Sequence, residues 1–298
     1  MPLTLLHVVL AVAGVLGVLL LLELKTSRPD GTPIKEHPFR VLLATVMPTR
    51  TESQVYFDAW ADATKLVPYL DRAKGEFNAN MTHALVYAAM IGLKETPWIN
   101  RFVMGRRIYQ RNGRFVTFSI KRTKRSGKAK ISEIKTEHTD DMDFRALCDK
   151  VNAGISEERS GKETSADKEF KFFTFFPRVV LRQAHYFLRW LDYYNLLPSK
   201  FIHDDGMYTS IFLANLGSVG MEPGYHHLYE WGNCPIFIMV GAVEDRLSMV
   251  DGEVVATPSL HLRFTYDERV GDALAALHGF GAMIRVLENP EEELGGLA

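Results

Sequence analysis

A chain of 298 residues can bury one large core, and a formal net charge of −1 with 24% charged residues excludes a bulk electrostatic affinity for nucleic acid. Its two cysteines, Cys148 and Cys234, stand far apart with no CxxC spacing, which excludes a cysteine zinc site and a disulfide framework and fits a reducing compartment.

The first predicted element is the apolar run Pro2 to Leu22, polar only at His7 and about the length of a bilayer-spanning helix. It lacks the basic n-region and the small-residue cleavage site of a secretory signal, so residues 1–24 are read as a transmembrane anchor. Lys25, Arg28, Lys35 and Arg40 follow it and no basic residue precedes it, which predicts a single-pass protein with its body in the cytoplasm. Residues 25–37 have the Pro, Gly and mixed charge of a tether, and residues 38–298 form the globular domain. Within it, "QVYFDAWADAT" reads as a strand, and "THALVYAAMIGLKET" as an amphipathic helix with Thr82 at its N-cap and Pro97 ending it. The Asn-Gly of "RRIYQRNGRFVTFSIKR" predicts a hairpin. The run Lys121 to Lys130 reads as a solvated basic connector or as a contact for anionic lipid or a nucleotide phosphate. Residues 170–198 concentrate Phe, Tyr and Trp among Arg178, Arg182 and Arg189, as a core stripe or a helix at a membrane interface would. Strands and helices mix without a βαβ repeat, so the fold class is α+β, a two-layer sandwich with a mixed sheet.

The C-terminal third carries "ANLG", "IFIMVGAVED", "VDGEVV", "YDERVGDALAAL" and "LENP" in order; upstream stand "PFRVLLATVM" and "VYAAMIGLKETPWIN". This ordered set resembles the catalytic domain of the 2-oxoacid dehydrogenase acyltransferases, of the chloramphenicol acetyltransferase-like superfamily, over residues 38–292. The resemblance implies a homotrimer with active sites between subunits. It also implies coenzyme A thioester as a substrate rather than a covalently bound cofactor. The family uses a histidine to take the thiol proton and a serine to donate to the oxyanion.

Both chemical positions differ here. Glu268 stands where the resemblance places the histidine, and Ala214 where it places the serine. Asn215 and Asp272 complete the catalytic set that the resemblance implies, and Arg269, Gly217 and His227 the substrate-binding set. An alanine donates no hydrogen bond, and a carboxylate of ordinary pKa, roughly 4.3 for glutamate, is a weak base toward a thiol. His226 and His227 are adjacent and in a strand would face opposite sides, so that at most one reaches the site as a substitute base. His203 to Gly206 reads as a turn, and no HExxH helix or other metal motif is present. Two functions follow. One is a diverged acyltransferase acting on an acyl-coenzyme A and a membrane-associated protein or lipid acceptor; the other is a non-catalytic trimeric scaffold or acyl-ligand-binding protein.

Overall fold

The computed structural model describes residues 5–121, 131–160 and 175–297. Its first helix, α1 (Leu5–Leu24), carries Leu, Val and Ala on every side and buries none of them in the protein. A helix with no polar face has no favourable place in water, and this one is long and apolar enough to cross a membrane.

The segment expected to be a loose tether is instead folded against the domain. Gly31–Pro33 forms β1 and pairs with β4 (Arg107–Arg111), which also pairs with β3 (Arg101–Met104) to make a three-stranded sheet. Arg28 is buried: its Nε donates to Asp30 at 2.6 Å, and its Nη1 donates to Asp192 at 3.2 Å and Asn195 at 3.1 Å. A buried guanidinium must find all its acceptors within the protein, and those acceptors fix the chain in place.

The main sheet has six strands in the order β2 (Gln54–Asp62), β9 (Glu253–Asp267), β8 (Ile236–Val250), β7 (Ile211–Asn215), β5 (Arg114–Lys121) and β6 (Ile131–His138). β7 runs parallel to both neighbours and the other pairs are antiparallel, so the sheet is mixed. Leu260, Leu262, Phe264 and Tyr266 alternate along β9 toward the core, while Ser259, His261, Arg263 and Thr265 take the other face. Against the core face lie α3 (Leu66–Phe77), α4 (Met81–Glu95), α5 (Phe144–Arg159) and α8 (Ala273–Glu288), with Phe264 stacked on Phe280 at 4.1 Å. Both cysteines are buried and free.

Two sequence expectations are corrected here. Asn112–Gly113 does not close a hairpin: β4 and β5 on either side belong to different sheets, and the turn only redirects the chain. The tight two-residue hairpins are Gly105–Arg106 and Asp251–Gly252, each with both residues at positive φ. The cap of α4 is Asn80, whose side chain accepts from Thr82 N at 2.9 Å; Thr82 lies inside the helix. Residues 122–130 of the basic connector and 170–174 of the aromatic segment lie outside the described residues.

Candidate active site

The last strand ends in a turn held by buried charge. Asp267, fully buried, accepts from Ser53 Oγ at 2.9 Å and grips Arg269 through Nε at 2.8 Å and Nη2 at 2.7 Å. Arg269 Nη1 donates to Met47 O at 2.9 Å, so the guanidinium expected at a substrate-binding position is committed to fixing the turn. Glu268, between them, donates its backbone N–H to Ser53 O and accepts from Arg40 Nη1 at its carbonyl. Among the described residues its carboxylate makes no hydrogen bond or ion pair. Asp272 caps α8 by accepting from Ala275 N at 2.9 Å and faces Arg40 at 3.8 Å.

The second cluster lies at the end of β7. Asn215 accepts from Ser218 N at 3.2 Å and donates to Thr82 Oγ1 at 3.1 Å, which ties the turn Leu216–Val219 to α4. Gly217 presses on β8: a Cβ there would stand 2.3 Å from Gly241 O. Ala214 is half-buried on the sheet face away from the helices, with Phe212 and Met239.

The register separates the two clusters. Ala214 lies opposite Met239, and Met239 opposite Arg263. Glu268 comes five residues after Arg263 on β9. At about 3.4 Å per residue and 4.8 Å per strand, the two positions are roughly 20 Å apart within one chain. They do not form one site in a single subunit.

His226 and His227 are not in a strand. They lie in the loop 221–235 that crosses the outer face of the sheet, with their rings stacked at 5.0 Å. His226 stacks on Phe237 at 4.0 Å, and the exposed His227 sits within hydrogen-bond distance of Leu228 O.

That face holds a constellation that the sequence reading missed. Arg263 is opposite Asp58 on β2, and His261 is opposite Trp60 in the next row, on the same face as Ala214. Asp58 Oδ1 accepts from His261 Nε2 at 2.8 Å and from Arg263 Nε at 2.8 Å; Oδ2 accepts from Tyr225 OH at 2.5 Å. Burial pushes the Asp58 carboxyl up, but the bonds from Tyr225, Arg263 and His261 outweigh it and hold its pKa down to about 2. The His261 ring stacks on Trp60 at 3.9 Å, and Arg246 lies over the other ring of that pair, Trp60, at 5.0 Å. His261 and Trp60 line a cavity of about 180 Å³ with Glu222, Pro223, Ala242 and Glu244. With Nε2–H given to Asp58, Nδ1 is the nitrogen left to accept a proton. Alternation in "YFDAW" and "LHLRF" was the available signal, but it becomes a site only once β2 and β9 are paired. Among the described residues, no group of three or more His, Cys, Asp or Glu is arranged to hold a metal.

The architecture defines a class: an α+β sandwich whose mixed sheet is covered on one face by helices. No family model and no curated protein matches the sequence. Among solved structures, a probable dihydrolipoamide acetyltransferase from Listeria monocytogenes 4b F2365 is similar with TM-score 0.57 at 15% identity, over 89% of this chain and 95% of that one. Azotobacter vinelandii dihydrolipoamide acetyltransferase, in a study of a serine, a histidine and an asparagine in its catalytic mechanism, gives 0.55 at 16% identity, covering 88% and 94%. A chloramphenicol acetyltransferase gives 0.51 at 11% identity, covering 87% and 98%. The chain has the fold of these acyltransferase catalytic domains.

Proposed function

We propose that this protein is a membrane-anchored, diverged acyltransferase that moves an acyl group from a coenzyme A thioester to a membrane-associated acceptor, with its body on the cytoplasmic side. The observation that carries this reading is the Asp58–His261 pair beside a cavity on the sheet face that also bears Ala214. A histidine oriented by a carboxylate is the arrangement a general base requires. In the proposed step, His261 Nδ1 takes the proton of the acceptor as the acceptor attacks the thioester carbonyl. The C–S bond then breaks, and the proton passes to the departing coenzyme A thiolate. Neither Glu268 nor Ala214 is asked to supply the family chemistry.

The protein is proposed to act as a homotrimer. Among the described residues, 246–257 of the β8–β9 hairpin pair only with each other and expose Leu247, Met249, Val254 and Val255, an apolar arm of the kind that seeks a second subunit. A trimer would also offer Ala214 and Glu268 a place to meet across subunits.

The test is release of coenzyme A thiol from acyl-coenzyme A of several chain lengths, with the full chain reconstituted in membranes that supply acceptors. The expected result is turnover above the buffer rate that falls about 10²- to 10⁴-fold in His261→Ala. The second reading, a non-catalytic trimeric scaffold or acyl-ligand-binding protein, is favoured by Ala214 and Glu268 themselves. It predicts the buffer rate for wild type and variant alike.

A further inference from the structure

The helix α6 (Arg178–Tyr193) contributes almost nothing to the core: Asp192 is its one buried residue. Its sides are sorted by chemistry. Ala184, Leu188 and Leu191 turn toward the domain, and Leu188 and Leu191 pack on Leu197, Ile202 and Tyr208. At helical spacing on a second side stand Val179, Tyr186, Phe187 and Trp190, all exposed, with Val179 at 63% and Phe187 at 59%. Arg178, Arg182 and Arg189 form a third stripe beside the aromatic one, all exposed, and Arg189 lies 3.9 Å from Glu230. A helix with aromatic residues flanked by arginines is poorly placed in water and well placed at the boundary between headgroups and acyl chains.

The position of α6 names its occupant. Asn195, just past the helix, donates to Lys25 O at 2.9 Å, and Arg28 reaches Asp192 on its last turn at 3.2 Å. Arg107, whose hairpin turn abuts Tyr193, bonds to Glu23 in the last turn of α1. The point at which α1 would leave a bilayer is therefore fixed to the C-terminal end of α6, and α6 runs about 24 Å from there.

We propose that α6 lies in the plane of the membrane surface, with Val179, Tyr186, Phe187 and Trp190 in the headgroup–acyl boundary and its arginine stripe on the phosphates of an anionic leaflet. This rests on the reading that α1 crosses the bilayer. The domain is then held by two points, an axial anchor and an in-plane helix, rather than swinging on the anchor alone. Arg189, Asp192 and Tyr193 at the C-terminal end of α6 also line a cavity of about 170 Å³ together with Arg50, Arg106 and Arg269.

The experiment places a nitroxide at Val179→Cys in the full chain, with Lys74→Cys on α3 as the aqueous reference; Cys148 and Cys234 are buried and stay unlabelled. The protein is reconstituted into phosphatidylcholine vesicles with and without phosphatidylserine, floated, and read for collision with oxygen and with a water-soluble nickel chelate. At position 179 oxygen collision should exceed that at position 74 and nickel collision should fall severalfold below it, with the contrast larger when phosphatidylserine is present. A chain that floats but shows equal nickel access at both positions overturns the docking of α6 while leaving the anchor standing. Shielding of position 179 from oxygen and nickel alike means a protein surface covers the stripe, which also overturns it. A chain that does not float removes the anchor, and the proposal falls with it.

Discussion

Asp267 and Arg269 form two parallel bonds, Oδ1 to Nε at 2.8 Å and Oδ2 to Nη2 at 2.7 Å, with both side chains at 3% exposure or less. The turn carrying Glu268 is built on that pair. Removing one partner leaves the other charge buried and uncompensated. Asp267→Ala should therefore destabilise the domain by about 3–5 kcal/mol in denaturant unfolding. A loss below about 1 kcal/mol, the range of an exposed pair, would mean that Arg269 finds other acceptors.

Gly217 is needed for the absence of a side chain. The turn after β7 lies so close to β8 that an added Cβ would sit 2.3 Å from Gly241 O and 2.9 Å from Ala242 Cα, both backbone atoms that cannot rotate away. Gly217→Ala should cost about 1–3 kcal/mol through overpacking. A thermal midpoint equal to wild type would show that the turn can lift off the sheet without cost.

The carboxyl of Asp58 has its folded pKa lowered from 3.8 to about 2. Between those values the unfolded chain binds more protons than the folded one, so stability falls as pH falls through this window. The contribution is fully present above it. Urea midpoints measured across the window should decline less steeply in Asp58→Asn than in wild type, and by a modest amount, since the group is largely exposed. Parallel curves would remove Asp58 from the acid response.

Much of this was legible in the sequence because the informative features are local. The apolar run of α1, the strand in "QVYFDAWADAT" and the helix in "THALVYAAMIGLKET" are each set by neighbouring residues, and each is present in the structure as α1, β2 and α4. What failed depended on distant partners. Asn112–Gly113 states that the chain turns, but not that the two strands join different sheets. Residues 28–33 have the composition of a tether, yet Arg28 finds Asp192 and Asn195 more than 160 residues away and becomes part of the core. His261 was invisible as a candidate for the same reason: 203 residues separate it from Asp58, and only the register of β2 on β9 brings them together.

The exposed apolar residues of the β8–β9 arm predict that subunits associate. Leu247 and Val254 are 68% and 67% exposed on the outer stretch of the hairpin, where among the described residues β8 and β9 pair only with each other. The full chain in detergent at micromolar concentration should have the mass of a trimer in light scattering, and Leu247→Glu with Val254→Glu should convert it to a monomer that stays folded. A monomeric wild type would end the reading of the arm as an interface.

The last prediction concerns the acceptors of the chain's structural relatives. Wild-type protein should transfer no acetyl group from acetyl-coenzyme A to dihydrolipoamide or chloramphenicol above background, and Glu268→Ala should not change that result. Glu268 lies roughly 20 Å from Ala214 in its own subunit, so only a neighbouring subunit could bring the two positions together. Even there, Ala214 gives the oxyanion no side-chain donor, and the loss of one such donor costs about 10²- to 10³-fold. A carboxylate is also a weak base toward a thiol whose ordinary pKa is near 8.5, so the proton would have to leave by an unfavourable step. The His261–Asp58 pair lies on the outer sheet face beside a cavity of about 180 Å³ lined by Trp60, Glu222 and Glu244, and its proposed acceptor is membrane-associated, not a soluble dithiol. Robust turnover with dihydrolipoamide or chloramphenicol that is abolished by Glu268→Ala and unaffected by His261→Ala would place the chemistry back at the family position, with a glutamate acting as its base.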